Sequence, residues 1–150
     1  MMDLQGIQQL QDIEAIRQLK ARYVRFGDTK QWDKLSELFM DDYEARFDSM
    51  PRMSKDGPVS GSVKGRRNFV DLFKTMLVGC TTIHHVHSSE ITITGPDTAT
   101  GIWSLHDVVM LPHCHFEGWG HYHDQYVKVG GEWKLSRSHT TRVHTEERWQ

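Results

Sequence analysis

GCTTIHHVHSSEITITGPDTATGIWSLHDVVML, residues 79–111, is the stretch in which the chain changes period. Upstream of Gly79 the apolar residues recur at steps of three and four, and downstream of it β-branched and aromatic residues alternate with polar ones. The first spacing is that of one helical face and the second that of a half-buried strand. Before the switch, Leu4, Ile7, Leu10, Ile13, Ile16, Leu19, Tyr23 and Phe26 predict one long amphipathic helix, with Gly27 as its stop. A second helix is expected over about Lys30 to Met40, a short strand over Tyr43 to Phe47, and a loop over residues 49–62, which hold Pro51, Gly57, Pro58 and Gly61. A third helix is expected from Arg66 to Leu77. After the switch, four strands are predicted near Thr81–Thr94, Thr98–Leu111, Phe116–Val129 and Glu132–His144, with turns at Gly95-Pro96-Asp97 and Gly130-Gly131. Helices first and a meandering sheet afterwards is an α+β order, with N-terminal helices packed on one face of a curved, mainly antiparallel sheet.

At 150 residues the chain is expected to form a single domain over 1–150 with a core of its own. Lys+Arg 18 against Asp+Glu 20 gives a formal net charge of -2, so no basic excess exists to release counterions from a phosphate backbone, and nucleic acid is not an expected partner. Nowhere do about 18 apolar residues run together, so no membrane span is expected and a cytoplasmic location is the default. Two cysteines, Cys80 and Cys114, read as buried thiols. Ten histidines are far more than a chain of this length usually carries, and they call for an explanation.

The order of landmarks resembles the SnoaL-like branch of the NTF2-like superfamily, a cone-shaped α+β barrel. The landmarks are the long first helix, Gly27-Asp28, the run from Trp32-Asp33-Lys34-Leu35 to Phe39, Thr82-Ile83-His84, Gly95-Pro96-Asp97-Thr98-Ala99 and Gly131-Glu132-Trp133-Lys134-Leu135. Members of that superfamily include dehydratases of scytalone and bile acids, a dehydrochlorinase of hexachlorocyclohexane, isomerases, cyclases and non-catalytic binding or assembly domains, so the resemblance implies a fold and a pocket but no single reaction. In the dehydratase and dehydrochlorinase members an Asp after the first helix pairs with a His early in the first long strand, and the matching residues are Asp28 and His84. The resemblance to the bile acid dehydratase extends to Tyr23, Asp107 and Arg142, although Arg137 and Arg148 also lie near the last of these. Where scytalone dehydratase has a second His on the adjacent strand, this chain has Trp103.

The residues themselves support a proton-transfer site. An Asp that accepts from one imidazole nitrogen leaves the other as a base and stabilises the imidazolium. Asp28 reads either as that partner or as a cap of the following helix. If the first helix ends at Gly27, Asp28 can turn back toward a cavity that Tyr23 also faces. Trp103, Leu105, Asp107, Val109 and Leu111 share a strand face, so Asp107 is expected as a cavity acid held neutral among apolar walls, with Trp103, Leu105 and Arg142 contacting substrate. His84, Val86 and Ser88 are expected on one face of their strand, with Ile83, His85 and His87 on the other.

The pairs His85/His87, His113/His115 and His121/His123 have strand-ligand spacing and raise a metal site as an alternative, but a His-x-His metal fold of the cupin kind is nearly all strand, so no metal and no cofactor are expected. The leading expectation is a lyase of the dehydratase kind, or an isomerase, acting on a small hydrophobic cyclic substrate with His84, Asp28, Tyr23 and Asp107 as catalytic residues. A non-catalytic ligand-binding domain is the alternative. Apolar residues on the outer sheet face, such as Ile102, Val108 and Trp119, point to a homodimer or homotrimer.

Overall fold

A computed structural model describes residues 3–150. In chain order the elements are α1 (Leu4–Asp28), α2 (Trp32–Ser36), β1 (Phe39–Phe47), β2 (Gly61–Lys64), α3 (Arg66–Met76), β3 (Thr81–Gly95), β4 (Thr98–Met110), β5 (Cys114–Val129) and β6 (Glu132–Trp149). They form one six-stranded sheet in the order β2-β1-β6-β5-β4-β3, antiparallel throughout except where β1 runs parallel to β6. The sheet does not close on itself: β2 and β3 are its edges. The expected barrel is therefore an open cone, and the helices fill its concave side.

Alternation puts the core on that side. Along β4, residues 99, 101, 103, 105, 107 and 109 are buried, and along β5 the even residues from 114 to 126 are buried. Across from them α1 contributes Ile16, Leu19 and Phe26, and α3 contributes Phe69 and Val70. The first two turns of α1 pack little, and the expected face residues Leu4 and Leu10 are exposed. Among the described residues no helix is long and apolar enough to cross a membrane.

Four local expectations are corrected. The helix expected over Lys30–Met40 is cut to five residues, because Phe39 pairs with Leu135 of β6 and stacks on Tyr43 at 4.2 Å between ring centroids. A local period of 3.6 thus yields to a long-range strand pairing. The loop over 49–62 gives way at Gly61 to the edge strand β2, paired with the end of β1. Helix α1 does not stop at Gly27 but includes Asp28, and Thr29 caps it. On β3, parity holds through His87 and then slips at Ser88, which takes φ 51° within a bulge between His87 and Glu90. Ser88 consequently faces solvent, and Ile91 and Ile93 turn toward the core.

Leu135 sits at the centre of this arrangement, fully buried where the parallel β1–β6 pair begins. Leu135→Ala is expected to lower unfolding free energy by about 2–5 kcal/mol, measured by urea denaturation, because the cavity it leaves is walled by backbone-paired strands that cannot collapse.

Candidate active site

A cavity opens between the concave sheet face, the C-terminal half of α1 and α3. Its apolar part is built from Trp32, Leu35, Phe47, Phe73 and Met76, and its polar end from Tyr23, His84, Asp107, Tyr122 and Arg142. The loop between β1 and β2 contributes Met50 and Pro51 to the wall.

Asp28 lies behind His84 and is fully engaged. Its Oδ1 is 2.6 Å from His84 Nδ1 and accepts from Thr82 Oγ1 at 2.8 Å, while Oδ2 accepts the His84 backbone N–H at 2.8 Å. A carboxylate can only accept here, so Nδ1 carries a hydrogen and Nε2 is the nitrogen left for the cavity that His84 lines. Asp28 is thus the partner of His84 and not a solvent-facing cap. Being helical, it points a different way from Tyr23, since five residues rotate a side chain by about 140°. Tyr23 faces the cavity from α1, and Asp28 faces β3. Thr82, two residues before His84 on the same strand face, is a positioning donor that the sequence marks only as part of a landmark.

Asp107 departs from expectation. It is 5% exposed in its side chain, but Arg142 grips it through two parallel hydrogen bonds, Nη1 to Oδ1 at 2.5 Å and Nη2 to Oδ2 at 3.1 Å. The guanidinium in direct contact engages both oxygens of the carboxyl group, which commits Asp107 to Arg142 and leaves neither oxygen free for a substrate. Arg142, and neither Arg137 nor Arg148, reaches the cavity because of two bulges in β6: the one at Ser136 puts Ser138, Thr140 and Arg142 on the inner face and Arg137 on the outer, and the one at Val143 turns Arg148 out. Gly118 pairs with Asp107 across β4–β5, and any side chain there would collide with the Arg142 guanidinium. The same guanidinium donates from Nε to the Ser49 carbonyl at 3.1 Å, tying the β1–β2 loop to the site.

Trp103 and Leu105 do not line the cavity, contrary to expectation. Both face inward as alternation requires, but Tyr122 and Tyr23 pack over them. Trp103 Nε1 is committed to the Tyr126 hydroxyl at 2.9 Å. Tyr122, pairing with Trp103 across β4–β5, takes the wall position instead. Its signal was its place in the inward row of β5 with Phe116, Gly118 and Gly120. Burial, reinforced by the Asp124 carboxylate, pushes the Tyr23 phenol well above its ordinary value, and burial does the same to Tyr122. Both are therefore hydroxyl donors at neutral pH.

The paired histidines lie elsewhere. His85, His87, His115, His121 and His123 alternate to the outer sheet face, where His106 stacks on Trp119 and its Nε2 donates to Glu117 Oε1 at 2.8 Å. Among the described residues no three His, Cys, Asp or Glu side chains converge as metal donors.

A helix-backed cone with an Asp–His pair in the wall of an apolar cavity defines a small-molecule pocket of the NTF2-like kind. Residues 8–139 match the SnoaL-like domain, and the chain belongs to that family. It is 26% identical over 134 residues to a protein named a probable cyclase in Gibberella zeae, spanning 86% of this chain and 89% of that one. Two solved structures share the fold. A candidate scytalone dehydratase from Novosphingobium aromaticivorans is 21% identical with a TM-score of 0.75, over 92% of this chain and 88% of the other. A hexachlorocyclohexane dehydrochlorinase from Novosphingobium barchaimii is 18% identical with a TM-score of 0.76, over 95% and 93%.

Gly118→Ala is expected to displace Arg142 and strand Asp107, lowering stability by about 3 kcal/mol, as Arg142→Ala does. Urea denaturation of the two variants checks this, and an unperturbed Gly118→Ala protein would contradict it. The β1–β2 loop carries a second test. Arg52 donates to Glu147 at 3.0 and 2.6 Å, and these bonds hold the Glu147 carboxyl below its ordinary range. A lowered carboxyl stabilises above its unfolded value and loses that contribution as pH falls through its folded value. Trp149, which donates to Glu147 at 2.8 Å, should change emission in that acid range in the native protein, and should not do so in Glu147→Gln.

Proposed function

We propose that the protein is a cofactor-free lyase that eliminates water, or a comparable leaving group, from a small apolar cyclic carbonyl compound. The observation that carries the reading is the His84–Asp28 pair, 2.6 Å apart, with His84 in the cavity wall. His84 Nε2 takes the proton from the carbon next to the carbonyl. The C–H electron pair forms the new double bond, and the C–O bond to the leaving hydroxyl breaks. That oxygen departs as water with a proton from Tyr23, and the proton held by His84 returns to the phenol through solvent. Asp28 stabilises the imidazolium while it exists.

The acid role falls to Tyr23 because Asp107 is already engaged by Arg142. The Asp107–Arg142 pair positions the substrate by presenting a fixed dipole at the polar end of an otherwise apolar cavity. If the proton returns to a different carbon instead, the same residues perform an isomerisation. The names of family relatives, a dehydratase, a dehydrochlorinase and a cyclase, support chemistry of this breadth.

Against a panel of β-hydroxy cyclic ketones, His84→Ala is expected to lower turnover by at least about a hundredfold with folding retained by circular dichroism. Asp28→Asn is expected to be nearly as damaging, since an amide in place of the carboxylate no longer holds the imidazole in the productive tautomer. Wild-type rates in either variant would overturn the dyad, and tight binding of the panel without turnover would favour a ligand-binding domain.

A further inference from the structure

Lys20 is the one lysine in the core. It is 0% exposed, and its Nζ lies 2.8 Å from Asp124 Oδ2, whose side chain is equally buried. Asp124 is itself immobilised: it accepts from the Tyr126 hydroxyl at 2.8 Å and from Ser138 Oγ at 2.6 Å. Tyr126 in turn accepts from Trp103. An ammonium has three donors, and here one is spent on the carboxylate. Two aromatic faces also lie against it, Nζ being 3.6 Å from the Tyr122 ring centroid and 4.4 Å from that of Tyr23. Those are the two phenols that line the cavity.

A buried ion pair is weak evidence for stability, because apolar residues of the same volume often do as well. Its placement therefore calls for another reason. The two rings meet edge to face at 5.9 Å and 85°, and a cation lying against both faces fixes their planes. A positive charge on a ring face also draws density from the ring and favours negative charge accumulating on the phenol oxygen as it donates.

We propose that Lys20 is a positioning residue: clamped by Asp124 against the faces of Tyr122 and Tyr23, it holds their hydroxyls as a paired donor site for a substrate oxygen that gains negative charge. The proposal rests on the elimination reading, in which the leaving oxygen gains negative charge as its C–O bond breaks and Tyr23 protonates it. It adds that the substrate's oxygen sits at the phenol pair. The tyrosines donate and do not act as bases, in keeping with the upward shift of both.

The test uses para-nitrophenolate as a stable oxyanion and measures its binding by absorbance. This arm needs no turnover and stands even if the elimination reading fails. Lys20→Met leaves Asp124 with a stranded charge, so the informative protein is Lys20→Met/Asp124→Asn, which removes both charges together. This double variant is expected to fold and to bind para-nitrophenolate roughly tenfold or more weakly than the native protein. On any substrate turned over, it should lower kcat while leaving KM nearly unchanged. Tyr122→Phe should weaken phenolate binding similarly, and combining it with the double variant should add little, because both changes remove the same donor site. A native protein that does not bind the phenolate, a folded double variant with native affinity, losses that add in full, or a double variant that cannot fold would each overturn the proposal.

Discussion

The contact on which the site depends is the Asp28 carboxylate at the end of α1. It takes three hydrogen bonds from β3, an edge strand with no neighbour on its outer side. The strand is thereby tied to the helix at the level of Thr82 and His84. The same contacts set the imidazole's orientation and its tautomer, so the tether between helix and edge strand also leaves Nε2 as the nitrogen on the cavity side. Moving Asp28 by one position would turn its carboxylate by about 100° around α1 and lose both roles.

Charge in the interior follows one rule. Each buried or half-buried ion near the cavity has a named counter-ion: Lys20 with Asp124, Arg142 with Asp107, and His84 with Asp28 once protonated. Among the described residues no cation stands free at the cavity's polar end to recognise a carboxylate or phosphate, which suits an uncharged ligand. The space beyond is walled by Trp32, Leu35, Phe47, Phe73 and Met76, which fits the proposed ligand of apolar bulk with a polar atom toward the phenols and the imidazole.

The small residues of β5 make the ion pairs possible. Gly118 leaves room for the Arg142 guanidinium to reach Asp107, and Gly120 lies where the strand crosses the β6 bulge, with the Thr141 carbonyl in the place a Cβ would take. Together they leave room for an inner-face arginine of β6 to reach across β5 to Asp107 on β4. The same guanidinium reaches the Ser49 carbonyl, so the β1–β2 loop that supplies Met50 and Pro51 is anchored to the site it covers.

Much of this was legible in the order of residues. Periodicity is a local property, so the change from 3.6 to 2 at Gly79 located the helices and strands, and the alternation of β4 put Asp107 on the inner face. The Asp28–His84 pair and the choice of Tyr23 came from resemblance together with known hydrogen-bonding chemistry. What the order of residues could not contain is register. The bulges at Ser88, Ser136 and Val143 depend on how strands slide past each other, and they decide that Ser88 faces out and that, of the three nearby arginines, Arg142 faces in. Phe39 leaves its helix only because Leu135, far along the chain, offers a strand partner. Lys20 and Asp124, separated by 104 positions, are an unremarkable lysine and aspartate until folding buries both in one place. Local spacing therefore determined the elements, and resemblance supplied the Asp28–His84 pair. Only the packing of α1 across the paired strands decided which tyrosines, which arginine and which buried charges complete the site, because those choices turn on distances between segments that are remote in sequence.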